Sequence, residues 1–246
     1  MFRYFNVAAD GKPQRFICLS RQQEHLSSIL IDHKPSLVAA VDRQQQVVKL
    51  VKARSWHEYV KLLWNHSRLS KEIKGNRVLQ QIGVRVPHIY ETGINLRPFA
   101  KPSYLGYYAM EDLTQAGYRE FEALIDDSST SATLLRQAML SVAADLQRMK
   151  QHRIVFSDIN KRNIYINAEG NSAWIDTGIK HFAAHQQARF EPAYNQALRK
   201  FIDNNRQQLP AACSLAPIEQ LLFSPAAATL TPASANAGTG AHSPDC

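Results

Sequence analysis

Cysteine is scarce in this sequence: Cys18, Cys213 and Cys246 are an odd number and lie far apart over 246 residues. That pattern argues against a disulfide framework or a cysteine-built zinc site, and fits a reducing, cytosolic setting. Long apolar runs are missing as well. Every hydrophobic stretch is broken by charge short of the roughly 18 residues a membrane-spanning helix needs. Met1-Phe2-Arg3-Tyr4 opens no apolar run followed by a small-residue cleavage site, so a cytoplasmic chain without a secretory signal is expected. No internal repeat is visible, and no long block of like charge.

What is present is a 45% hydrophobic composition, enough for a sizeable core in one or two lobes. Base exceeds acid, 29 Lys and Arg against 21 Asp and Glu, for a net charge of +8. An anionic partner is implied: nucleotide phosphate, nucleic acid or an acidic membrane surface. The basic clusters are modest, at Lys49/Lys52/Arg54, Arg68/Lys71/Lys74/Arg77 and Lys161/Arg162, and most read as solvated helix faces.

Along the chain, a short helix is expected around Gln22–Leu30. Ser36–Val41 and Gln46–Val51 then read as a hairpin, being rich in β-branched residues and separated by the polar stretch 42–45. Trp56, Tyr59, Val60, Leu63 and Trp64 share one face at helical spacing. Ile73, Val78, Leu79 and Ile82 follow on a second helix that Gly83 ends. Tyr104–Met110 is an aromatic strand, and Thr133–His152 the clearest helix. Ile164–Ile166 and Ala173–Ile175 flank Asn167-Ala168-Glu169-Gly170-Asn171, good turn chemistry for a hairpin. From Ser224 the Ala, Ser, Thr, Pro and Gly content predicts a disordered tail.

Chemistry concentrates after the long helix. Asp158 falls in a loop, Asn163 comes five residues later at the start of the hairpin, and Asp176 ends its second strand, two before Gly178. A hairpin brings its two ends together, so Asn163 and Asp176 are expected side by side. An amide oxygen and a carboxylate there suit magnesium, which takes one or two carboxylates plus phosphate oxygens. Asp158 beside them could accept the proton of an attacking hydroxyl. Asp and Asn also populate turns for local hydrogen bonding, so any one of these residues alone means little.

The conjunction resembles the catalytic loop and metal hairpin of the protein-kinase-like superfamily, where His-Arg-Asp is followed five residues later by Asn and then by Asp-Phe-Gly. The resemblance implies Asp158 as catalytic base, with Asn163 and Asp176 as metal ligands. It also calls for a strand lysine paired with a helix glutamate. Lys49, in Gln46–Val51, and Glu72 on the second helix are the candidates, with Lys52 competing for the first role. An outward Lys49 on an edge strand is the plain structural alternative.

The local wording around Lys49, Trp56, Glu72 and Gln80-Gln81-Ile82-Gly83-Val84-Arg85-Val86-Pro87, with Gln151–Val155, is similar to the bacterial lipopolysaccharide core kinases, the Kdo and heptose group. The resemblance spans about residues 36–180. It implies a two-lobed α+β fold: an antiparallel-sheet N-lobe (1–112), a helical C-lobe (113–223) and the tail (224–246). It further implies ATP and Mg2+ as cofactors, and adenine facing the Glu111 carbonyl and the Leu113 amide. The acceptor would be a sugar hydroxyl of a lipid-linked anionic saccharide, met at the inner face of the cytoplasmic membrane by a peripheral enzyme.

The sequence departs from the family pattern in four places. The turn near Asp32–Ser36 holds no glycine, Phe156 replaces the usual histidine, Asn160 replaces a lysine, and Asp-Phe-Gly has become Asp-Thr-Gly. These departures raise the alternatives of a regulatory pseudokinase or a kinase with another acceptor. A non-enzymatic basic binding module is a further alternative, although no base-reading motif for a specific nucleic acid is present. Asp176-Thr177-Gly178 occurs once, whereas an aspartic protease needs two such carboxylates. A kinase-like cleft requires Lys49, Glu72, Asp158, Asn163 and Asp176 to converge; a binding module requires a flat basic face.

Overall fold

The computed structural model describes residues 2–6, 13–18, 26–32, 36–41, 46–96, 103–206, 209–210 and 213–223. The chain is mixed α+β, built on a curled antiparallel sheet of seven strands: β1 (Phe2–Asn6), β2 (Pro13–Cys18), β3 (Leu26–Asp32), β4 (Ser36–Val41), β5 (Gln46–Lys52), β6 (Ile89–Asn95) and β7 (Tyr104–Glu111), in the order β1-β2-β6-β7-β5-β4-β3. Helices α1 (His57–Leu63) and α2 (Arg68–Gln81) follow β5 and pack against the sheet. From residue 113 onward the chain is mainly helical, with α3 (Phe121–Asp126), α4 (Ala132–Gln151), α5 (Gln187–Asn205) and α6 (Ala216–Phe223). Short strands interrupt it: β8 (Arg119–Glu120), β9 (Ile154–Phe156), β10 (Ile164–Ile166), β11 (Ser172–Trp174) and β12 (Ile179–His181).

Strand alternation sorts the sheet residues by face. Val48 and Leu50 of β5 join Phe5, Phe16, Leu37 and Tyr107 in one core cluster. Val47, Lys49 and Val51 point to the other face, where Val51 meets Leu69, Leu105 and Tyr108 beneath α1 and α2. Because β5 is hydrogen-bonded to β4 on one side and β7 on the other, it is a central strand. Lys49 is therefore buried, 7% exposed, and the edge-strand alternative fails.

The helical part has its own core, in which α4, β9 and α5 contribute Val142, Leu146, Ile154, Phe156, Phe190 and Leu198. Ser131 caps α4 by accepting from the Leu134 amide at 3.2 Å, and Ser67 caps α2 by accepting from Ser70 at 3.1 Å. Within this core Asp145 is buried. It accepts from Ser172 Oγ at 2.5 Å, from Trp174 Nε1 at 2.9 Å and from Arg148 at 2.8 Å, so the carboxylate ties α4 to β11. Burial pushes its carboxyl upward, and these donors pull it back. Cys213 is a buried free thiol, raised to about 11 by burial.

Two expectations are corrected. Of the helix expected at Gln22–Leu30, residues 26–30 are instead part of strand β3, Leu26–Asp32, paired to β4, while 22–25 lie outside the described residues. Pairing with a distant strand outweighs a short local period. The helical face expected at Trp56, Tyr59, Val60, Leu63 and Trp64 is split, with Tyr59 inward and the other four exposed. The turn at 42–45, the turn residues 33–35 and the tail from 224 also lie outside the described residues. Among the described residues no helix is long and apolar enough to cross a membrane.

Asp145→Ala leaves the buried Trp174 indole N–H without its acceptor, while the Ser172 hydroxyl keeps Ser141 Oγ at 2.8 Å. Stranding a buried donor costs about 1–3 kcal/mol, so urea unfolding should show a drop of about 1–3 kcal/mol with an unchanged slope. A drop under about 0.5 kcal/mol would contradict this role.

Candidate active site

The site is framed by two small ladders. Strand β9 pairs with β12, and β10 pairs with β11. Between the ladders run two loops, 157–163 and 175–178, joined at both ends. Ser157 donates its amide to the Gly178 carbonyl at 2.8 Å, and Ile175 donates to the Asn163 carbonyl at 2.9 Å. The β10–β11 turn closes through Gly170 at φ +82°, where a side chain would be strained. Asn163 and Asp176 thus stand at the same end of one hairpin, as the spacing predicts.

Lys49 is the hub. Its amine bonds the carboxylates of Asp176 and, at 3.1 Å, Glu72. Burial alone lowers the pKa of this lysine, yet Tyr108, Glu72 and Asp176 more than offset it, so the amine is held above its ordinary value and stays charged. Glu72 is 8% exposed and is itself fixed: Tyr108 donates its hydroxyl to it at 2.9 Å, and Arg68 approaches at 3.8 Å. Tyr108 lies directly across the ladder from Lys49. Burial, then the nearby Glu72 charge, drives its phenol well above the usual range, so it is a donor. The competing Lys52 bonds Asp32 instead.

Helix α2 is also docked onto the Asp176 loop. Thr177 Oγ1 donates to the Glu72 carbonyl at 2.8 Å, and Gly75 lies so close to Thr177 that a Cβ would overlap its carbonyl oxygen. The same loop holds Asp176 at φ +58°, a left-handed conformation that Asp adopts more readily than most residues. Its carboxylate is half exposed.

A cleft of about 510 Å³ opens beside this hub. Val38, Val47, Tyr108 and Met110 form its apolar wall, and Lys49, Asn163 and Asp176 its polar end. Glu111 and Leu113 line it where β7 runs into the helical part, and the Leu113 amide donates to no described residue. The Glu111 carboxylate is engaged elsewhere, with Arg85 at 2.5 Å and the His88 amide at 3.1 Å. Asp158 stands apart: it is exposed on the loop after β9, outside the cleft lining, and its backbone carbonyl accepts from Asn163 Nδ2 at 3.0 Å. That bond orients the Asn163 amide and leaves its Oδ1 without a described partner.

Among the described residues no three His, Cys, Asp or Glu side chains cluster as a self-sufficient metal cage. One carboxylate and one amide oxygen do fit magnesium that completes its shell with phosphate and water. Sequence reasoning missed Tyr108, Gly75 and Thr177. Only Gly75 left a signal, a glycine inside a helix, which marks close approach of another backbone. No family model and no curated protein matches the chain.

Gly75→Ala should force α2 and the Asp176 loop apart, lowering stability by about 1–3 kcal/mol in urea unfolding. Wild-type stability would show that the close approach is not needed.

Proposed function

We propose that the chain is an ATP-dependent kinase of the protein-kinase-like fold, transferring the γ-phosphate to a sugar hydroxyl of the lipopolysaccharide inner core. The observation that carries this reading is the buried Lys49 amine, bonded at once to Glu72 and to Asp176 at the polar end of an apolar-walled cleft. A flat basic face, as in a binding module, would not need such a hub. Further support comes from the strand order, which sets the lysine-bearing β5 between β4 and β7, and from Glu111 and Leu113 at the junction with the helical part.

In this reading Val38, Val47 and Met110 pack against one face of the adenine, and the Leu113 amide donates to it. Lys49, held by Glu72, orients the α/β-phosphates. Asn163 Oδ1 and the Asp176 carboxylate would hold magnesium, which would supply positive charge to offset that of the phosphates. Asp158, exposed where an acceptor can reach it, takes the proton of the attacking hydroxyl. Its proton affinity need not be unusual, because phosphoryl transfer depends mainly on position and charge stabilisation. The acceptor is a lipid-linked anionic saccharide, consistent with the basic balance of the chain, and the place of action is the cytoplasmic side of the membrane.

Asp158→Ala should fold normally and lose about 10²–10⁴-fold in ATP-dependent phosphotransfer to core oligosaccharide, while Asp176→Ala should lose it together with magnesium-dependent nucleotide binding. Folded variants that keep the wild-type rate would refute the assignment. Mass spectrometry of the core from cells lacking the gene should show one phosphate fewer; an unchanged core would point to another acceptor.

A further inference from the structure

Helix α1 is apolar on two faces. Tyr59 and Leu62 pack inward beside Leu69 and Tyr108, and Tyr59 donates its hydroxyl to the Tyr104 carbonyl at 2.8 Å. Trp56, Val60, Leu63 and Trp64 stand in solvent, with Trp56 61%, Leu63 82% and Trp64 65% exposed. These four positions fall within an arc of about 100° on a helix, so they form one continuous stripe. The inward stripe of Tyr59 and Leu62 accounts for the packing of α1 on the sheet, and the outer stripe meets no partner from another element among the described residues.

The segment that carries α1 and α2 is basic, and Lys74 reaches the Asn65 carbonyl just past α1 at 3.2 Å. Between Arg54 and Gln81 there are six Lys and Arg but only two acids. Glu72 is spent on Lys49, and Glu58 accepts the Arg54 amide at 2.7 Å. Arg54, Lys61, Lys71, Lys74 and Arg77 are all exposed. Two tryptophans flanking an aliphatic residue, set among lysines and arginines, match an anionic bilayer interface. Indole rings settle at headgroup level, and basic side chains meet lipid phosphates.

We propose that the exposed face of α1 docks on an anionic lipid bilayer, with Leu63, the most exposed of the four, inserted beside Trp56 and the surrounding basic residues against the headgroups. An apolar stripe together with a polybasic surround supplies the two signals that stable peripheral anchoring requires. Charge favours lipid over a second copy of the chain, because two such basic faces would repel. The inference extends the lipid-linked acceptor proposed above and identifies the surface that would bring the enzyme to it. Since docking on vesicles needs neither nucleotide nor acceptor, its failure and the failure of phosphotransfer are separate results.

The full chain is titrated with phosphatidylcholine vesicles with and without phosphatidylglycerol, reading tryptophan emission and co-sedimentation. Trp174 is fully buried in the helical core and serves as an unchanging background. The expected result is a blue shift and partition with phosphatidylglycerol vesicles only, weakening as salt is raised. Leu63→Asp keeps all three tryptophans and an exposed site, so it should keep the wild-type circular dichroism and weaken partition at least about tenfold. No blue shift at low salt, or partition unaffected by Leu63→Asp, would overturn the proposal. So would concentration-dependent self-association that Leu63→Asp abolishes, since a second copy would then cover the face.

Discussion

Holding a lysine ammonium inside a protein costs several kcal/mol unless opposite charge and hydrogen bonds replace the lost water. At Lys49 that replacement comes from two carboxylates on separate elements, Glu72 on α2 and Asp176 on the loop after β11. The sheet, the helix and the helical part of the chain are thereby tied to one buried charge. Removing either carboxylate leaves the amine short of a partner, so both elements must be held in place. Tyr108 and Arg68 add to this by fixing Glu72, which has no freedom to turn away.

The same requirement explains the backbone around the site. Asp176 can reach Lys49 because its loop takes a left-handed turn, and such a conformation persists only where neighbours hold it. The β9–β12 and β10–β11 ladders do so from both ends, and Thr177 and Gly75 lock α2 against it. The result is a rigid polar end facing an apolar cleft wall. That combination suits a ligand with one flat apolar part and one highly charged part.

Local signals carried much of this site. Asn163 and Asp176 were legible because the intervening turn chemistry, closed by Gly170, fixes a hairpin without help from distant residues. Lys49 was legible because a lysine in a run of valines and leucines needs a reason to be there. The choice between Lys49 and Lys52 was not, since it depends on which residue meets Asp32 and which meets Glu72, and those contacts are far apart in sequence. Strand β3 was misread as helix for the same cause: its pairing with β4 overrides its own periodicity. The amphipathic pattern of α1 was correctly seen as helical, but spacing alone cannot say which apolar stripe faces inward. The inward stripe is set by Tyr59 and Leu62 meeting the sheet.

The proposed chemistry stands on the polar end of the cleft accepting a magnesium–nucleotide, while the acceptor sugar and the lipid-facing helix are refinements of it. The most direct measurement is isothermal titration of the full chain with a non-hydrolysable ATP analogue, in magnesium and again in chelator. The account predicts saturable binding in magnesium, weakened at least about tenfold when the metal that Asn163 and Asp176 would hold is removed. No binding in magnesium, or equal binding with and without it, would contradict the account at its centre.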